Sequence, residues 1–156
     1  MAVRFSTGLR DKMLDPTTGA SLGEAMNDGI LRIYTGAQPA TADAAATGTL
    51  LLEVTQDSGA WTGGSPTNGL GFDAPVSGVL SKAAAETWSG NGVAAGTAGW
   101  ARLYANPVDA GGSSTTLARI DMSVAVTGGD LNLSNTVIAV SAPHTIDAFQ
   151  ITFPFE

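Results

Sequence analysis

From residue 29 onward the chain never runs far without a turn signal. Gly63-Gly64-Ser65-Pro66, Asn68-Gly69, Asn91-Gly92, Asn106-Pro107, Gly111-Gly112 and Gly128-Gly129 cut it into short pieces. These pairs suit tight turns and weaken helices and strand interiors. Between the turns the apolar residues alternate. Leu31 and Ile33 oppose Arg32 and Tyr34, and Leu50, Leu52 and Val54 alternate with Leu51, Glu53 and Thr55. A period of two gives each segment one face for a core and one for solvent or a neighbour. Further strand candidates fall at residues 71–73, 78–82, 86–89, 100–104, 116–126, 130–133, 137–140 and 145–153. In the last, Phe149, Ile151 and Phe153 share a face, so a single long strand is expected to close a sheet and leave Pro154 to Glu156 near the surface. Many short strands punctuated in this way predict an all-β fold, a single β-sandwich or jelly-roll-like domain.

The first 28 residues read differently. Leu9 and Met13 sit four apart, and Ser21-Leu22-Gly23-Glu24 matches a capping box, in which a serine hydroxyl and a glutamate carboxylate satisfy the free amides of a helix start. One or two helical turns are expected around residues 8–14 and 22–27, stopped by Asn27-Asp28-Gly29. The chain thus divides into an N-terminal arm, residues 1–28, and a β-sandwich body, residues 29–156.

Between the first two strands of the body lies a long polar loop of small residues, Gln38 to Thr49, stiffened by Pro39. A loop of that length in a compact domain usually carries a function, yet this one holds no residue with catalytic reach. Its main-chain amides and carbonyls are free of bulky side chains, so they are expected to bond to an adjacent subunit. Together with the arm it supplies the candidate partner-binding residues Arg4, Phe5, Leu9, Arg10, Tyr34 and Gln38.

Charge narrows the choice of partner. Only 13% of the residues are charged, against about 25% in an average soluble domain, and a surface short of charge is prone to association. Residues 1–35 carry four positive and four negative side chains, whereas residues 36–156 carry three and ten, which accounts for the whole net charge of −7. An acidic body repels phosphate backbones, so nucleic acid is not an expected partner. The start of the chain, MAVRFSTGLRDKML, lacks the apolar core of a signal peptide, and no run approaches the 18 or so apolar residues of a membrane span. A soluble protein made in the cytoplasm, without a membrane partner, is expected.

Little in the chain suggests chemistry. There is no cysteine and one histidine, His144, so neither a thiolate site nor a histidine zinc cluster can be assembled. Asp147 follows His144, but no serine occupies a G-x-S-x-G elbow, and His144 reads as an exposed loop residue. In Gly90-Asn-Gly-Val-Ala-Ala-Gly96 the third glycine comes one place late for a dinucleotide fingerprint, which leaves a loop glycine cluster. Asp43, Asp57, Asp73, Asp109 and Asp130 fall in loops and read as solubilising charges. The expectation is a protein that is not an enzyme, with no cofactor and no metal. Trp61, Trp88 and Trp100 could stack on sugar rings, anchor a core or lie at an interface. Trp100 shares a face with Arg102 and Tyr104, which suggests partial burial against another subunit, and at least one of the three is expected in the core.

VRFSTGLR at residues 3–10, LRIYTGAQPATADAAATGTL at 31–50, WSG at 88–90, GTAGW at 96–100 and TIDAFQI at 145–151 together resemble a family of small virion structural proteins of tailed bacteriophages, over most of the chain and in order. The resemblance implies a β-rich protein assembled in many copies on or in the particle. Within that class the first expectation is a capsid cement or decoration protein on the outer capsid surface of the virion. Its partners would be the major capsid protein and copies of itself in a homo-oligomer. A tail component (tail tube, adaptor or tail-tip subunit) is the alternative, and a glycan-binding module using the tryptophans is a further one.

Overall fold

The computed structural model describes residues 3–153. Strand β1 (Arg4–Phe5) leads into helices α1 (Thr7–Leu14) and α2 (Leu22–Met26). Nine further strands follow directly in sequence: β2 (Ile30–Thr35), β3 (Leu50–Gln56), β4 (Val79–Ser81), β5 (Trp88–Asn91), β6 (Gly96–Tyr104), β7 (Arg119–Ala125), β8 (Leu131–Asn132), β9 (Val137–Ile138) and β10 (Pro143–Ile146). Strand β11 (Gln150–Thr152) ends the series. The all-β class is borne out, and the chain is organised around one large sheet in the order β1-β7-β6-β2-β3-β5-β10, with β8 beside β7, β9 beside β6, and a separate pair β11-β4. Neighbours in the large sheet are antiparallel except β7 and β8.

The helical turns form where the sequence places them, for local reasons. Ser6 caps α1 by accepting from the Leu9 amide at 3.1 Å. The capping box of α2 is complete, with Ser21 accepting from the Glu24 amide and the Glu24 carboxylate accepting from the Ser21 amide and hydroxyl, both at 2.8 Å. Those bonds from Ser21 pull the Glu24 carboxyl below its ordinary value.

Two expectations are corrected. Residue 28 does divide helical from strand-rich chain, but what precedes it is docked. Phe5 pairs with Ile120 at the edge of the large sheet, and Ser6, fully buried, both donates to the Leu117 carbonyl and accepts from the Arg119 amide. The final strand is two strands. Ile146 pairs with Trp88 in the large sheet, while Ile151 pairs with Leu80 in the small one. The buried position shifts from even numbering at Ile146 to odd at Phe149 and Ile151, and Phe153 stays 44% exposed. Pro154 to Glu156 lie outside the described residues.

Alternation on the central strands β2, β6 and β7 produces two unlike faces. One carries Leu31, Ile33, Ala101, Leu103, Ile120 and Met122, part of a continuous apolar core that also takes in Leu9, Leu22 and Met26 from the helical segment. Trp88 belongs to the same core and packs against Phe72 and Phe149, with ring centroids 5.4 and 5.1 Å away. The opposite face carries Arg32, Tyr34, Trp100, Arg102, Tyr104, Arg119 and Asp121 in adjacent registers.

Candidate functional site

The polar face brings charged and aromatic side chains together on adjacent strands. Arg102 and Asp121 face each other across β6 and β7, both fully buried, and meet in a two-pronged pair at 2.5 and 2.8 Å. Arg119 grips Asp109 in the same way, at 2.6 and 2.7 Å. Arg32 pairs with Glu53 at 2.8 Å nearer the surface. The guanidiniums of Arg32, Arg102 and Arg119 approach the Tyr104 ring to within 5.0, 5.8 and 5.9 Å of its centroid, where the negative ring face favours a cation. The Tyr104 hydroxyl bonds that of Tyr34 at 2.9 Å, and Tyr34 stacks on Trp100 with centroids 4.7 Å apart.

Burial shifts the acidity of these groups. It pushes the Tyr34 phenol well above its ordinary range, reinforced by the bond to Tyr104. It likewise raises the Asp121 carboxyl, against the pull of Arg102. A buried charge left without partners is costly, and here each guanidinium has a carboxylate. What remains is to satisfy the other N–H groups.

The long loop does this, and the expectation that its carbonyls serve a neighbouring subunit is corrected. Arg102 Nη1 donates to the Ala44 carbonyl at 2.9 Å, Arg119 Nη1 to Ala42 at 3.5 Å and Trp100 Nε1 to Thr47 at 3.2 Å. Arg4 donates to the Pro39 carbonyl. Asp43 anchors the loop to the start of α1 by accepting from the Thr7 amide and hydroxyl, each at 2.7 Å. Burial works against the Asp43 charge, but these bonds hold its carboxyl below the ordinary value. Gly48 turns the chain back at φ +83, and a Cβ there would lie 2.1 Å from the Thr35 carbonyl oxygen, so only glycine fits. The loop is a lid fastened over the polar face.

The six residues proposed as partner contacts therefore separate. Leu9 is fully buried in the core, and Tyr34 is buried beneath the loop, so both are corrected to internal packing roles. Gln38 is also buried, and its amide nitrogen and oxygen have no partner among the described residues. Arg4 and Phe5 are half-buried at the sheet edge, Phe5 lying 6.0 Å from the Phe153 ring. Arg10 stands exposed on α1. Of the tryptophans, Trp88 and Trp100 are fully buried, which corrects the inter-subunit placing of Trp100, and Trp61 is half-buried with its indole N–H on the Asp28 carbonyl at 2.8 Å.

Other expectations also change. Asp109 is a buried ion-pair partner, and Asp130 fastens Ser123 through its amide and hydroxyl at 2.9 and 2.7 Å, so neither is a free loop charge. His144 lies half-buried in β10 opposite Gly90, with a buried Nε2, and is not a loop residue. The signal for the buried pair was present in the sequence. Arg102 and Asp121 each sit at the centre of a strand, where a charge needs a partner on the adjacent strand.

With these cations spent internally, the exposed positive side chains among the described residues are Arg10 and Lys12, both on α1. Beside them Leu14 is 79% exposed. Lys12 and Met13 also border an open groove of about 670 Å³ whose apolar lining includes Leu22, Phe72, Leu80 and Phe153. No helix of the described residues is long and apolar enough to cross a membrane. No group of three or more histidine, aspartate or glutamate side chains among them could hold a metal ion. Comparison with protein-family models, curated proteins and solved structures found no match.

Proposed function

We propose that the chain is a non-enzymatic structural subunit of a tailed-phage particle, a capsid cement protein that binds the outside of the major capsid protein shell and stabilises it. The observation that carries this reading is the internal use of the arginines. Five of the seven cationic side chains are buried or half-buried, three of them in ion pairs within the chain, so few cations are left on an exterior that keeps the net charge of −7. Such an exterior suits a place outside a shell, away from packaged DNA. Among the described residues it also leaves the exposed cations on α1, and its exposed Arg10, Lys12 and Leu14 are the contacts assigned to the shell. Weak contacts of this size become strong retention when several copies engage at once.

Fractionating purified particles into heads and tails and quantifying the chain against the major shell protein tests the reading. Near-stoichiometric abundance in heads is expected. Recovery only with tails would make it a tail component, and absence from particles would remove the reading altogether. A second test exchanges charge on α1: Arg10→Glu with Lys12→Glu is expected to lower incorporation into particles without changing the fold.

A further inference from the structure

The two edges of the large sheet are built differently. At one, β1 is two residues long, carries Arg4 and shares β7 with β8. Short length and charge are the usual protections of an edge against pairing with another chain. At the other, β10 ends the strand order, and its protections are Pro143 and, just past its end, the exposed Asp147.

The chain there forms one continuous strip. Residues 137–146 run antiparallel to residues 88–97, with Val137 opposite Thr97, Ile138 opposite Gly96, and Pro143 to Ile146 opposite Asn91 to Trp88. The turn between them is clamped to Gly92, whose amide donates to the Ala142 carbonyl and whose carbonyl accepts from Ser141, at 2.9 and 2.7 Å. Neither residues 87–101 nor residues 131–146 contain an aspartate, glutamate, lysine or arginine. Three valines stand out from this unit, Val137 and Val140 at 60% exposure and Val93 at 52%.

We propose that this strip is where two copies of the chain meet, edge to edge along β10. The argument for a second copy is electrostatic. A chain of net charge −7 repels itself wherever carboxylates face carboxylates, and like charges across an interface are strongly disfavoured. A strip without charged side chains lets two copies approach without that repulsion. A partner of opposite charge would gain nothing from it. The open backbone edge supplies directional hydrogen bonds by strand addition, and the valines supply apolar area. Edge pairing about a two-fold axis makes the same strip both donor and acceptor. The proposal takes up the homo-oligomer expected from the sequence, and does not rest on where in a particle the chain sits.

Sedimentation of the full chain over a range of concentrations, compared with Val137→Lys/Val140→Lys, provides the test. Both valines are largely exposed, so the fold should survive, and circular dichroism checks it. The expected result is a concentration-dependent oligomer for the natural chain and a monomer for the double variant, while Val108→Lys, at a valine 75% exposed outside the strip, stays oligomeric. Amide hydrogen exchange on the natural chain gives a readout that needs no variant: protection across residues 144–146 should fall on dilution. A monomer at every concentration, or an oligomer that survives the double substitution, would overturn the proposal. Particle fractionation is separate, because a natural chain that oligomerises through the strip yet is missing from particles leaves this inference standing and removes only the capsid reading.

Discussion

The two faces of the large sheet bury their side chains by opposite means. Leu31, Ile33, Leu103, Ile120 and Met122 gain by leaving water, and what they touch need only be apolar and of the right shape. Arg102, Arg119, Asp109 and Asp121 lose by leaving water, and are tolerable only because every charge meets a counter-charge and spare N–H groups meet carbonyls of the loop. The first face is robust because its requirements are loose. The second is conditional: remove one member and the others become a liability.

Deleting residues 40–46 attacks that condition most broadly. The loop ends are joined by the Thr35 amide bonding the Thr49 carbonyl at 3.0 Å, so the chain can still close, but Arg102 and Arg119 lose their carbonyl acceptors. A loss of about 2–6 kcal/mol is expected from two orphaned charged donors, read by urea denaturation. An unchanged midpoint would show that the lid is not needed over this face.

Single substitutions set the faces against each other. Asp121→Ala is expected to cost about 3–5 kcal/mol, because it leaves Arg102 buried and unpaired, and Leu103→Ala about 2–5 kcal/mol through a cavity. The sizes are similar and the remedies are not. Adding Arg102→Met to Asp121→Leu should recover most of the stability, since an apolar pair has no charge to satisfy. If the double variant remains as weak as Asp121→Ala, the ion pair is itself a source of stability and the contrast drawn here fails.

Acid separates the faces more gently. Asp43 holds its proton less tightly in the folded chain than the ordinary value of 3.8. The unfolded chain therefore takes up that proton first, and the stability contributed by Asp43 is full above 3.8 and lost as pH falls through the lower folded value. Asp121 has the opposite sign. Its raised folded value means that its own contribution declines as pH rises from 3.8 through that value. Stability of the natural chain measured between pH 5 and 2 should fall on acidification less steeply in Asp43→Asn, while apolar-face variants keep the natural slope. An unaltered slope in Asp43→Asn would mean that the lid is not held by its carboxylate.

The smallest expected effect is at Tyr34→Phe, which removes one hydroxyl from the Tyr34–Tyr104 bond and should cost about 1 kcal/mol. Urea denaturation of the variant checks this, and an unchanged midpoint would show that the hydroxyl pair is dispensable.

The apolar face was legible in the sequence because period-two alternation is a property of side chains, and β2, β6 and β7 follow it, whereas on β3 a register shift at Leu51 buries Leu51 and Leu52 together, against the expected alternation. Ser21 and Glu24 were legible for the same reason. Strand β1 was not, since two residues ahead of a helix show no period. The break at Asp147 could have been found in the change of phase between Ile146 and Phe149. The Arg102–Asp121 pair was visible only as two strand-centre charges whose alignment depends on which strands are neighbours. The role of the loop was hidden more deeply, because its contacts to Arg102, Arg119 and Trp100 are made by main-chain oxygen atoms that every residue possesses.

That last property bears on how such a segment can change over generations. Ala42, Ala44 and Thr47 grip the sheet with atoms that no substitution removes, so spelling at these places is nearly free so long as the path and length of the segment are kept. Only a few letters are constrained: glycine at 48 for its turn and aspartate at 43 for its hold on Thr7. A descendant could exchange most of residues 37–47 for other small residues and keep the same lid, its ancestry legible in the fold long after it had faded from the text.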